Sequence, residues 1–178
     1  MATKIRQNYK HTLNACYIGY ITQAIVNNFA PLLFLTFQSQ YGIPLSKITL
    51  LITVNFGLQL TVDCASVYFI DRIGYRASAL LAHFFSALGL IMLSGLPSAY
   101  AGLLLAVCFY AVGGGLLEVI ISPIVEACPT KNKARTMSVL HSFYCWGSAG
   151  VIVISTLFLK LFGHSSWRIL APLWALLP

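Results

Sequence analysis

Five apolar stretches, each about 18 or more residues long and almost free of charge, constrain the fold more than any other feature of the sequence. A helix needs roughly 20 apolar residues to cross a hydrocarbon core of about 30 Å, and these stretches reach that length. Only 8% of the residues are charged, whereas a soluble domain carries about 25%. We therefore predict an all-α, polytopic membrane protein.

Turn-forming residues divide the chain into its predicted helices. Gly, Pro, Asn and Ser end helices in the links QSQYGIPLS, SGLPS and CPTKNKAR. The predicted transmembrane helices cover residues 12–37, 46–70, 77–95, 99–126 and 136–162. A sixth, at 168–178, is about 15 Å long and too short to cross a bilayer. We predict that residues 1–178 form an N-terminal bundle of five full helices and a truncated sixth, with a C-terminal half missing.

The basic residues are divided unevenly between the two ends of the predicted helices. One end holds Lys4, Arg6, Lys10, Arg72, Arg76, Lys131, Lys133 and Arg135, whereas the other holds Lys47, Lys160 and Arg168. Cytoplasmic loops carry the excess of Lys and Arg, so we predict a multi-pass protein of the cell (inner) membrane with a cytoplasmic N-terminus. The net charge of +7 then reflects orientation, and nucleic acid is not an expected partner.

Signatures of enzymes and of metal sites are missing from the sequence. It contains no G-x-S-x-G elbow, no Walker lysine and no H-E-x-x-H motif. Its five cysteines show no C-x-x-C or metal-ligand spacing and read as free thiols. We predict that the protein is not an enzyme and needs no cofactor or metal ion.

Glu118 is the acidic residue that most strongly suggests a function. It lies inside the fourth predicted helix, after three glycines and before Pro123. A carboxylate costs about 2.5 to 3.5 kcal/mol in the middle of a membrane helix, so it usually faces a cavity or a partner. Removal from water favours its protonated form. We predict a proton-coupling or substrate-binding carboxylate; the alternative is a structural Glu bonded to another helix.

Polar side chains also form stripes on two other predicted helices. Tyr20, Gln23 and Asn27 share one face of the first helix, and His141 and Tyr144 share one face of the fifth. In lipid such stripes face protein or water. We predict that these five residues bind the solute; the alternative is that they hold helices together at about 0.6 kcal/mol each.

Asp63 lies on a polar face of the second predicted helix, together with Asn55, Gln59 and Ser66. For this face we predict an interhelical anchor rather than a set of solute ligands.

The segment Asp71-Arg72-Ile73-Gly74-Tyr75-Arg76 resembles the D-R-x-G-x-R/K core of the signature loop of the major facilitator superfamily. It follows the second predicted helix on the cytoplasmic side, where that superfamily carries this loop. The Asp can cap a helix end, and the arginines can hold the inner leaflet. The resemblance implies a conformational role for Asp71, Arg72, Gly74 and Arg76.

The stretches GGGLLEVIISPIV and SVLHSFYCWGSAG resemble the corresponding segments of the fucose permease-like branch, whose members are sugar:proton symporters. Glu118 stands at the acid position of that branch, and Ser122-Pro123 stands where the branch has Asn-Pro. Asn27-Asn28 resembles its Asn-Asn pair, whereas Pro31 is nearest to the place of the aspartate that follows the pair.

The resemblance implies the N-terminal helical bundle of a major facilitator fold, in which a C-terminal half of the same transporter completes twelve helices. It implies a secondary active transporter that moves a small polar solute, with sugar as the candidate, by alternating access and with proton coupling. The implied partners are the solute, the lipid bilayer and protons. The alternatives are a non-transporting truncated membrane subunit and an exporter of another solute class.

Overall fold

The computed structural model describes residues 9–95 and 100–178, and every regular element in these residues is a helix. The α-helices are α1 (Tyr9–Leu32), α2 (Phe34–Tyr41), α3 (Leu45–Ile73), α4 (Tyr75–Gly95), α5 (Tyr100–Ala127), α6 (Lys133–Phe162) and α7 (Trp167–Trp174). Among them four are long and apolar enough to cross a membrane, or five if α1 and α2 count as one span. This confirms the predicted all-α membrane bundle.

The structure differs from the single helix predicted over residues 12–37, because the chain bends by 42° between α1 and α2. Pro31 is the physical reason, since it has no N–H to donate and its ring crowds the carbonyl group four residues earlier. At the break the Leu33 N–H bonds to the Ala30 carbonyl at 3.0 Å, a tighter turn than in an α-helix.

The C-terminal segment packs against α4, and its side chains also reach the C-terminal end of this broken span. The indole of Trp167 is fully buried, lies edge-on to Phe37 with ring centroids 5.3 Å apart, and donates to Gln40 Oε1 at 3.1 Å. Arg168 donates to the Tyr41 hydroxyl at 2.8 Å. The short helix α7 is thus fastened to α2, and its eight residues do not cross a membrane.

Helix α5 lies at the centre of the bundle and packs against α1, α3 and α4. Its closest approach is to α4. A Cβ atom added at Gly113 would lie 2.6 Å from the Ser86 nitrogen and 2.7 Å from the Ala82 carbonyl oxygen. Gly89 on α4 meets Tyr110 on α5 equally closely. Small residues let the backbones of membrane helices touch, which is the role of glycine here.

The order of the helices shows at which end of the bundle each basic residue lies. Lys10, Arg72, Arg76, Lys131, Lys133 and Arg135 lie at the end where α1 begins, and Lys47, Lys160 and Arg168 lie near the other end. Lys4 and Arg6, which belong to the predicted cytoplasmic set, lie outside the described residues.

Gly113→Ala should destabilise the contact between α4 and α5. The added methyl group meets backbone atoms of α4 that cannot move aside, and overpacking of this kind costs about 1 to 3 kcal/mol. Thermal unfolding of the detergent-purified protein measures the loss. Gly150→Ala on α6 is the matched control, because its Cβ meets nothing within 4 Å. Equal melting temperatures of the two variants would contradict this packing.

Candidate functional site

A cavity of about 330 Å³ opens between α1, α3, α5 and α6. Its size falls at the lower end of the range for small-molecule sites, roughly 300 to 1,000 Å³. The cavity is lined by Tyr20, Gln23, Asn27, Phe56, Gln59, Glu118, His141 and Tyr144. The structure therefore brings together the six residues that the sequence proposed for solute and proton binding, and it adds Phe56 and Gln59.

Helical spacing explains how these side chains converge. Tyr20, Gln23 and Asn27 follow each other at three and four residues on α1, which places them on one face. His141 and Tyr144 are three residues apart on α6 and face α1. The cavity thus lies where α1 and α6 meet α3 and α5.

Glu118 projects into the cavity from α5, and its side chain is exposed there. Gln23 on α1 is 4% exposed and donates from Nε2 to Glu118 Oε2 at 3.0 Å. Asp63 on α3, which is itself acidic, also acts on this carboxylate. In the described part of the chain no cation offsets the charge of Glu118, so the carboxylate is open to a proton or a polar solute.

Asn27 is the centre of an amide network. Its Oδ1 accepts from Gln59 Nε2 at 2.7 Å and from Asn55 Nδ2 at 3.5 Å, both on α3. Its Nδ2 donates to the Tyr144 hydroxyl on α6 at 3.4 Å. One side chain of α1 therefore connects two other helices on the cavity wall.

Tyr20 joins the wall to α5. Tyr20 as a whole is buried, and its hydroxyl forms a 3.0 Å hydrogen bond with Ser122 Oγ. Its ring lies 5.6 Å from the His141 ring and 6.2 Å from the Tyr144 ring, measured between centroids. The three rings form one aromatic side of the cavity.

Sequence reasoning underestimated two of these residues. The sequence predicts Gln59 only as part of an interhelical anchor, whereas in the structure it both bonds to α1 and lines the cavity. Ser122 stands out in the sequence only as a departure from Asn-Pro, whereas in the structure it bonds to the Tyr20 hydroxyl. The signal for Gln59 was its place one turn after Asn55; no signal in the sequence paired Ser122 with Tyr20.

Asp63 does not act as the predicted anchor within the described residues. Its Oδ1 is buried and has no hydrogen-bond partner there. The anchoring on this face comes from Asn55 and Gln59 instead.

The signature segment lies away from the cavity, at the junction of α3 and α4. Asp71 and Arg72 belong to the last turn of α3, and α4 begins at Tyr75, so Gly74 alone separates the two helices. The predicted loop is therefore shorter than expected, and Asp71 lies within a helix instead of capping one. The backbone of Gly74 has φ +83° and ψ 152°, a conformation that residues other than glycine rarely adopt.

Residues that could hold a metal ion do not converge in the described part of the chain. Across residues 9–95 and 100–178, no group of three or more His, Cys, Asp or Glu side chains is arranged for metal binding.

The fold and the cavity define a polytopic helical membrane protein with a polar site inside its bundle, and comparison with known families gives the class more closely. The family model of the Major Facilitator Superfamily matches residues 16–177. The chain belongs to this superfamily of membrane transporters, which act on a solute and reside in a lipid bilayer. Searches of curated proteins and of solved structures found no match.

Ser122→Ala should destabilise the protein by about 1 kcal/mol, because the hydroxyl of the buried Tyr20 then loses its partner. The melting temperature in detergent measures this loss. Ser138→Ala is the matched control, since Ser138 is exposed on α6 and bonds only to the carbonyl of Ala134 in its own helix. A melting temperature for Ser122→Ala no lower than that of Ser138→Ala would argue against the hydrogen bond.

Proposed function

We propose that this chain is the N-terminal half of a secondary active transporter that moves a small polar solute, a sugar, across the cytoplasmic membrane in symport with protons. The observation that carries the proposal is the cavity itself. It places a carboxylate, two glutamines, an asparagine and a histidine among membrane-spanning helices. Polar groups are costly in that environment unless they are used, and midplane sites between helices are where secondary transporters bind their solutes.

The chemistry of the lining supports a sugar. Amides, hydroxyls and an imidazole can bond to several hydroxyl groups at once, and the rings of Tyr20, Phe56 and Tyr144 offer flat surfaces for the C–H faces of a pyranose. Trp146, another aromatic residue of α6, is 77% exposed and does not line the cavity. The aromatic surface on this half therefore comes from the other three rings.

Glu118 is the proposed proton-binding group. Its Oε2 is engaged by Gln23, so Oε1 remains for a proton or a solute hydroxyl. Within the described chain it lacks a cationic partner. Protonation would change the charge of the cavity and thereby bias which side of the membrane the site opens to.

The ends of the bundle support the proposed orientation. Most of the described basic residues lie at the end where α1 begins, and we assign this end to the cytoplasm. Arg72 and Arg76 are exposed there, and the proposed orientation would let them bind the headgroups of the inner leaflet. A C-terminal half would complete the cavity, and α3 and α6 also carry exposed apolar residues, such as Leu60 and Val153, that it could cover.

Glu118→Gln should abolish sugar accumulation driven by an imposed proton gradient, while sugar binding or exchange without a gradient persists. The amide keeps the shape of the carboxyl group but cannot take up a proton. Uptake into proteoliposomes containing the complete gene product, with and without an inward proton gradient, measures both. Glu126→Gln is the matched control, because Glu126 is exposed near the end of the same helix. Sugar accumulation driven by the proton gradient in Glu118→Gln would contradict the proposed role of Glu118 in proton coupling.

Asp71→Asn should slow transport and leave sugar affinity unchanged. Asp71 lies at the α3–α4 junction, outside the residues that line the cavity, so it can act on the rocking of the bundle but not on binding. Initial uptake rates and equilibrium binding of labelled sugar measure the two effects separately. A normal uptake rate would refute this role.

A further inference from the structure

Gln59 occupies an unusual position on the cavity wall, because α5 comes very close to it. It is 3% exposed, and Cβ atoms at Gly114 and Gly115 would lie 3.1 Å from its Nε2 and Cα, respectively. The glycines leave just enough room for the Gln59 side chain to pass and reach α1. Its rotamer is therefore restricted by packing as well as by hydrogen bonds.

Both hydrogens of the Gln59 amide are used inside the protein. Nε2 donates to Asn27 Oδ1 at 2.7 Å and to Asn55 Oδ1 at 3.2 Å. Asn27 Oδ1 also accepts from Asn55 Nδ2 at 3.5 Å, so two donors face this oxygen. The acceptor end of the Asn27 amide is thus occupied and faces α3.

The donor end of Asn27 is left for the cavity. Its Nδ2 has a single partner among the described residues, the Tyr144 hydroxyl at 3.4 Å. This is longer than the usual 2.9 to 3.0 Å for such bonds, and an amide nitrogen carries two hydrogens. At least one N–H of Asn27 is available to a solute.

In its ionised form Glu118 gives the cavity the opposite polarity at another point, because an ionised carboxylate accepts hydrogen bonds and cannot donate them. The wall therefore presents a donor at Asn27 and an acceptor at Glu118. A solute fits this wall when it accepts a hydrogen bond from Asn27 and donates one to Glu118. The hydroxyl groups of a neutral polyol can do both. An ammonium group facing Asn27 would find a donor where it needs an acceptor.

We propose that Gln59 is a positioning residue for solute selectivity, which fixes the Asn27 amide so that Asn27 donates to an acceptor oxygen of the solute. This inference rests on the proposed function, since it assigns the polarity of the same solute site. Gln59 acts through Asn27, because losing Gln59 removes the 2.7 Å bond and leaves only the 3.5 Å bond from Asn55 to hold the Asn27 oxygen. The Asn27 amide can then turn over.

Sugar analogues with one altered hydroxyl test this polarity directly. Fluorine accepts weakly but cannot donate, so a deoxyfluoro sugar keeps an accepting contact that the corresponding deoxy sugar loses. The probes are D-glucose, D-galactose and L-fucose, followed by the monodeoxy and monodeoxyfluoro analogues of whichever binds. Affinities are measured on the detergent-purified complete gene product by isothermal titration or by the rise in melting temperature.

In the wild-type protein we expect one hydroxyl position at which the deoxy analogue binds about tenfold more weakly than the parent sugar. At this position the deoxyfluoro analogue should bind several-fold more tightly than the deoxy analogue. At the position facing Glu118, both analogues should be equally weak. In Gln59→Met, which has a similar length but no donor, the difference between deoxyfluoro and deoxy analogues should vanish at the first position and stay unchanged at the second. A merely structural defect would weaken all analogues evenly.

Gln38→Met is the matched control, because Gln38 is exposed on α2 and should leave the analogue pattern unaltered. If Gln59→Met does not fold, Asn27→Asp replaces the donor with an acceptor in the same shape and should remove the same preference for fluorine. An unaltered pattern in whichever of these variants folds would overturn the role of Gln59 while the proposed function stands. Failure of all three hexoses to bind the wild-type protein would overturn the proposed solute, and this inference with it.

Discussion

The contact between α3 and α5 at Gln59 is the interaction on which the cavity wall depends. Gly114 and Gly115 remove the side chains that would otherwise keep the helices apart, and the glutamine fills the space and reaches Asn27 on α1. Hydrocarbon offers no water to satisfy a polar group, so these amides bond to one another and hold α1 and α3 together. The same bonds orient the groups that face the solute.

Glycine allows close helix packing in this protein because it has no side chain. Gly113 and Gly89 bring α4 and α5 into backbone contact, and Gly115 does the same for α3 and α5, whereas Gly114 makes room for the Gln59 side chain. Helix α5 can therefore sit at the centre of the bundle and still present Glu118 to the cavity from its next turn. Helices that already lie in lipid gain no hydrophobic attraction for one another, so close packing stabilises their association instead.

Much of the site was predictable because helical periodicity is a local property. Tyr20, Gln23 and Asn27 fall on one face of any α-helix, and the depth of Glu118 follows from the length of its apolar segment. The hydrogen bonds between helices were not predictable. Gln23 with Glu118, Tyr20 with Ser122 and Gln59 with Asn27 are each separated by tens of residues along the chain. No local pattern sets which of many polar groups meet.

By itself the sequence determined the class of structure and the family, since the length and apolarity of its segments admit membrane helices and a family model matches nearly the whole chain. Only the tertiary structure decided that the first span breaks at Leu33, that Asp71 lies inside a helix, and that Gln59 belongs to the cavity as well as to the anchor. The reason is physical: hydropathy and helical spacing act along one chain segment, whereas bends, junctions and side-chain partners depend on how neighbouring helices press against each other.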